Sequence, residues 1–274
     1  MVKDLKKYKR LFTFGCSFTN NIYPSYADVL AAECINAEFY NLGKSGGGNN
    51  LIAYRFAEAN RRYNFTKDDL VVIMYTTFCR EDRWVEHKWA TYGNVFNNHF
   101  YDDAFLKKYA DPNGYLIQNG AIISLLDSYV EKCEADCIQL TAWDFLSTEY
   151  LEMYDKQYLD RVCDLYGSLW SKLPTPYFSF VFPKIPQSVD HDRSLYLEKG
   201  AIYKLHDGTL FGDAHPNSVQ GYIYLESLGF PLTSISYDYA YEQREILQKC
   251  KTQEEIFSAW KSDRYQYLIR DMFF

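Results

Sequence analysis

Residues 10–19 read Arg-Leu-Phe-Thr-Phe-Gly-Cys-Ser-Phe-Thr, and this stretch decides the fold. Its first part, residues 10–16, is a short apolar run closing around Gly15, the pattern of a buried strand. Residues 23–34 follow, with Pro24 near the start and Val29, Leu30 and Ala32 on one side, which predicts a helix. Outward from there the alternation repeats. Strands are predicted at 37–42, 69–76, 136–141 and 177–182, with β-branched residues prominent in 69–76. Helices are predicted at 51–62, 117–133, 148–172 and 218–228, and the tail from 239 onward reads as helical and amphipathic. Strands alternating with helices predict an α/β protein, a mostly parallel sheet with helices on both faces. In such sheets, sites form at the carboxyl ends of the strands.

The chain of 274 residues is long enough for one large α/β core. Residues 84–115 lack a clean period and carry many aromatic, Asn and Asp residues, with a turn expected at Pro112-Asn113-Gly114. The reading is a single domain over 1–274, with an insertion at about 84–115 and a helical extension at about 239–274. Net charge is -7, which disfavours nucleic acid as a partner. The basic start at Lys3, Lys6, Lys7, Lys9 and Arg10 lacks the apolar stretch of a signal peptide. No run of ~18 apolar residues predicts a membrane span. The 7 cysteines are scattered with no Cys-x-x-Cys pair, and Cys133 and Cys137 have no nearby His to complete a zinc site. They read as reduced thiols of a cytosolic or virus-encoded protein. The 26 Tyr and 19 Phe fit either a Tyr-rich core and surface or a Tyr-lined groove for a flat ligand such as a sugar.

Three constellations carry chemistry. Ser17 stands at a strand-to-helix turn, where its hydroxyl can face a cleft; the plainer role is capping a helix. Cys16 is a rival nucleophile, but as a strand residue it is expected in the core. The second constellation is Asn41-Leu42-Gly43-Lys44-Ser45-Gly46-Gly47-Gly48-Asn49-Asn50, whose glycines let backbone N–H groups approach a developing oxyanion. Its plainer role is a flexible turn. Gly43-Lys44-Ser45 is not a phosphate-binding P-loop, because the required earlier glycine is Glu38. The third is Gly212-Asp213-Ala214-His215-Pro216-Asn217, in which an acid two residues before a His can orient the ring as a general base. The plainer role is a His satisfied by a polar neighbour. His191 between Asp190 and Asp192 is not expected to bind a metal, because adjacent loop residues rarely converge on one ion.

Taken in order, these segments resemble the SGNH/GDSL hydrolase superfamily. Residues 15–19 are similar to its first block, with Cys16 where the family has Asp. Residues 41–50 are similar to its second block, and residues 212–217 to its last. The resemblance implies a three-layer α/β/α, flavodoxin-like fold with a five-stranded sheet. It also implies a triad of Ser17, His215 and Asp213 acting on an acyl ester, with no cofactor. The oxyanion would be held by the backbone N–H groups of Ser17 and Gly46. The family's third-block Asn has no counterpart: Thr76 stands at that place, and its hydroxyl, or Asn49 or Asn50, is the alternative donor. Many members place the acid three residues before the His, here Gly212; Asp213 matches branches that place it two before, and Asp207 is a weaker stand-in. Asn49 and Arg80 are the candidate substrate contacts, Arg80 for a carboxylate or phosphate unless it pairs with Glu81 or Asp82. The expected substrate is a small or carbohydrate ester, most simply an O-acetyl sugar. An O-acyltransferase with the same triad and an inactive binding protein on the same fold are the alternatives.

Overall fold

The computed structural model describes residues 4–96, 100–147, 151–183, 202–204 and 210–260. His191 with its flanking Asp190 and Asp192, Asp207, and the tail beyond 260 lie outside the described residues.

The central sheet is built from β1 (Arg10–Phe14), β2 (Glu38–Asn41), β3 (Asp69–Tyr75) and β6 (Asp136–Thr141), in the order β2-β1-β3-β6, all parallel. Between β3 and β6 the chain forms a hairpin of β4 (Arg80–Val85) and β5 (Lys88–Asn94). A short pair, β7 (Ile202–Lys204) and β8 (Leu210–Gly212), stands late in the chain. β3 is buried along its whole length and is apolar from Leu70 to Tyr75, as a strand covered on both faces must be.

Successive β3 side chains serve opposite cores. Leu70, Val72 and Met74 join one cluster with α1 (Tyr26–Glu33), α6 (Tyr177–Val181), α7 (Ser218–Ser227) and Ala240 of α8 (Ser234–Lys249). Val71, Ile73 and Tyr75 join another with α2 (Asn49–Tyr63), α4 (Pro112–Val130) and α5 (Lys156–Trp170). Helices thus cover both faces, giving three layers. Two short helices, α3 (Asp103–Tyr109) and α9 (Gln253–Ala259), complete the described elements. No helix among the described residues is long and apolar enough to cross a membrane.

Four expectations are corrected. The run at 177–182 is helix α6, so the described part of the main sheet has four strands, not five. Phe178 N–H donates to the Ala142 carbonyl at 2.9 Å, just beyond β6, and Pro176 is the N-cap from which the helix starts. A five-residue apolar run has no length to separate strand from helix. Pro112-Asn113-Gly114 is not a turn but the first turn of α4, with Asp111 as its N-cap and Pro112 at the position where a missing N–H costs nothing. Pro24 lies outside α1, whose capping residue is Ser25. The aperiodic segment after residue 84 contains the second half of a hairpin. Its turn is Glu86-His87, both at positive φ (50° and 64°), the backbone a tight two-residue hairpin requires.

Candidate active site

β1 has β2 on one side and β3 on the other, so the chain leaves it at the point where the strand order reverses. Crevices form there in open parallel sheets. Gly15 carries the chain out of β1; a Cβ there would collide with Thr19 and press the Met74 carbonyl. Thr19 and Asn20 then donate backbone N–H groups to the Cys16 carbonyl at 3.0 and 3.1 Å, closing a tight turn around Ser17. The Thr19 carbonyl is held by the Ser25 hydroxyl (2.7 Å) and the Asn41 carboxamide (2.9 Å). Ser17 is 6% exposed, and Cys16 is buried in the core as expected. The helix does not begin at the serine: α1 starts at Tyr26, after this strapped loop.

His215 arrives from the other end of the chain. Asn217 caps α7, its side chain accepting from Val219 and Gln220, while Gln220 returns a bond to the Asn217 N–H. This capping box fixes where the helix starts, and so where His215 stands just before it. The imidazole Nε2 lies 2.7 Å from Ser17 Oγ, and Nδ1 lies 2.5 Å from Asp213 Oδ1. A carboxylate only accepts, so Nδ1 carries the proton and Nε2 accepts from the serine hydroxyl. The His215 backbone N–H also donates to Asp213 Oδ1 at 3.1 Å. Phe18 meets the imidazole edge to face, with ring centres 5.4 Å apart, and stacks on Trp143.

Burial alone would push the Asp213 carboxyl up, but the charge of His215, bonds from its ring and backbone, and a bond from Tyr23 carry it below the usual carboxylate range. Tyr23 went unseen in the sequence. Its one hydroxyl proton is shared between Asp213 Oδ2 at 3.2 Å and the His215 carbonyl at 2.8 Å. A lone Tyr, four residues past the first recognised block and 18 before the next, carries no sequence signal for such a contact.

The glycine loop is a built element, not a slack turn. Gly46 has φ of +72° and sits in a turn closed by Gly47 N–H to the Lys44 carbonyl (2.9 Å). A Cβ there would strike the Thr91 carbonyl of β5, so the hairpin backs this loop. Thr91 in turn donates its hydroxyl to the Ser45 carbonyl at 2.8 Å. Asp82 of β4 caps α2 from outside, accepting from Gly48 N–H (2.8 Å) and Leu51 N–H (2.9 Å).

Two expected ligand contacts face elsewhere. Asn49 is 1% exposed, and its carboxamide is paired in both directions with the Thr76 main chain at 2.9 Å and bonded to Asn119 at 2.8 Å. It holds the end of β3. Thr76 is 0% exposed, its N–H given to Asn49 and its hydroxyl enclosed without a partner. The expected third oxyanion donor is therefore sealed inside. Arg80 donates to the Gly47 carbonyl at 3.0 Å, so it braces the glycine loop; its expected alternative partners are engaged elsewhere, Asp82 with α2 and Glu81 with Tyr115.

No family model matches this chain, and no curated protein does. Among solved structures it is similar to Axe2, an acetylxylan esterase from Geobacillus stearothermophilus. One catalytic mutant of that enzyme is 17% identical, with 81% of this chain and 94% of that chain covered and a TM-score of 0.42. Another variant is 18% identical, with 83% and 99% covered and a TM-score of 0.39. Likeness of this size assigns no residue of this chain a role.

Proposed function

We propose that this chain is a serine esterase of the SGNH type, cleaving a small acyl ester, with O-acetyl groups on a carbohydrate as the substrate class. One observation carries the reading: the unbroken chain from Ser17 Oγ through the His215 ring to Asp213, at 2.7 and 2.5 Å. In it, His215 Nε2 takes the hydroxyl proton as Ser17 Oγ bonds to the ester carbonyl carbon. Asp213 holds the ring and stabilises the imidazolium. The carbonyl oxygen becomes an oxyanion, stabilised by the backbone N–H groups of Ser17 and Gly46. As the intermediate collapses, the ester C–O bond breaks and His215 returns its proton to the leaving alcohol. Water, deprotonated by the same imidazole, then attacks the acyl-serine and releases the acid.

Low exposure of Ser17 and the Phe18–Trp143 stack beside His215 favour a short acyl group. The carbohydrate follows from the aromatic surface of the hairpin that backs the Gly46 loop, where Trp84 and Tyr92 are exposed, with Phe100 stacked on Tyr92. Flat rings of this kind pack against sugar faces.

The test is p-nitrophenyl acetate hydrolysis by wild type and Ser17→Ala at pH 8. Wild type is expected to turn over, and the variant to fall by at least ~10³-fold. Equal rates in both would sink Ser17 as the nucleophile. Turnover that starts only when a sugar acceptor is added would move the reading to acyl transfer.

A further inference from the structure

Beside the Ser17 turn lies a cavity of about 300 Å³, lined by Asn20, Asn21, Lys44, Ser45 and Arg55 together with Ile22 and Gly43. It lies between the two loops that leave β1 and β2. Asn20 is the last residue of the tight turn that holds Ser17, and Ser45 immediately precedes Gly46.

The lining is cationic and carries no carboxylate. Arg55 is 5% exposed; one guanidinium nitrogen donates to the carbonyls of Leu42 (2.7 Å) and Gly43 (3.1 Å), while its Nε–H is buried with no partner. Asp82 and Glu58 favour its charge from a distance, yet no ion pair to Arg55 occurs among the described residues. Burial holds the Arg55 guanidinium down to about 10, and burial together with Arg55 holds the Lys44 ammonium below its usual value. The Asn21 Nδ2 is a further buried donor without a partner. Two cations that repel each other and two buried nitrogen donors without partners, on residues lining one cavity, form an arrangement that an anion would satisfy.

We propose that this cavity is an anion subsite, taking a carboxylate or phosphate carried by the ester substrate between Lys44 and Arg55. The assignment rests on the esterase reading for the word substrate, but not for the binding itself. A substrate whose anionic group lodges there would have its ester close to Ser17, because the cavity wall and the nucleophile share one turn. The enzyme would then favour acidic esters, such as acetylated uronic acids or phosphorylated sugars, over neutral ones.

Two measurements test this and separate it from the esterase reading. In the first, inorganic phosphate and glucuronate are titrated separately into Ser17→Ala protein by calorimetry, with Lys44→Gln in the same background as control. Saturable binding weakened about tenfold by Lys44→Gln is expected, and the tighter of the two ions names the source. No saturation, or binding that ignores Lys44→Gln, overturns the subsite. Arg55→Lys, which keeps the charge, tests the buried partner without emptying the site, and is expected to weaken binding several-fold.

In the second, kcat/KM for acetate release is compared for O-acetylated glucuronate and O-acetylated glucose. A preference of about tenfold for the acidic ester in wild type, falling toward one in Lys44→Gln, is expected. Equal turnover of both esters by wild type overturns the subsite while leaving the esterase intact. Ion binding with no turnover of any ester leaves the subsite standing and removes the esterase.

Discussion

At the residue scale, the part of the site that sequence could not deliver is the support behind the triad. Ser17, Asp213 and His215 stand in short ordered blocks, so their types and order could be read. Thr76 and Asn49 could be read only as polar residues near the right strand end. Which way a side chain turns there depends on Asn119, 70 residues away, which no local pattern reveals. Tyr23 is the sharpest case. Its hydroxyl bonds Asp213, which makes it a positioning residue. Because the folded Asp213 pKa is depressed, its contribution to stability is complete above the ordinary carboxylate range near pH ~4 and is lost as pH falls through the lower folded value. Tyr23→Phe removes one of the bonds that lower it and brings the folded value closer to the unfolded one, so less stability should be lost on acidification and the loss should end at higher pH. Thermal unfolding midpoints of the two proteins between pH 3 and 7 check this, together with an expected drop of about tenfold in kcat. Superimposable acid limbs would show that Tyr23 does not act through Asp213.

At the element scale, the strands and most helices could be read because each buries a whole face, and burial leaves a period in the sequence. β6 matches its expected bounds, and β1 and β3 differ from theirs only at their ends. Two of the failures share one cause: short elements whose identity is set by what they dock against. α6 is too brief for a period, and the β4–β5 turn uses Glu86-His87 in place of the Asn or Gly that would have announced it. The hairpin matters because Asp82 serves as the missing cap of α2; the helix's own N-cap, Gly48, offers no side chain. Asp82→Ala should therefore cost about 1 kcal/mol of stability in urea unfolding, the usual loss for a capping carboxylate. A loss of the size of a neutral surface substitution would mean that water satisfies those N–H groups instead.

At the scale of the whole molecule, the two halves of the triad come from distant parts of the chain. α1 follows the Ser17 loop and α7 follows His215, and the two helices lie side by side. Gly221 of α7 lies so close to Tyr26 of α1 that a Cβ there would come within 2.8 Å of backbone. Behind the triad, Tyr23 packs in a cluster with Leu247 of α8 and Ile256 of α9, so the C-terminal helices press on the same residue that steadies Asp213. Ser17 and His215 are 198 positions apart, and bringing them together closes a loop of almost three quarters of the chain. Such a long-range contact is expected late on the folding pathway, after helices and neighbouring strands have formed. On refolding from urea, helical circular dichroism should therefore recover before esterase activity does, and coincident recovery would contradict this order. Under the proposed mechanism catalysis would also report assembly: a nascent or half-folded chain has its serine, but no base beside it until the segment leading into α7 has docked.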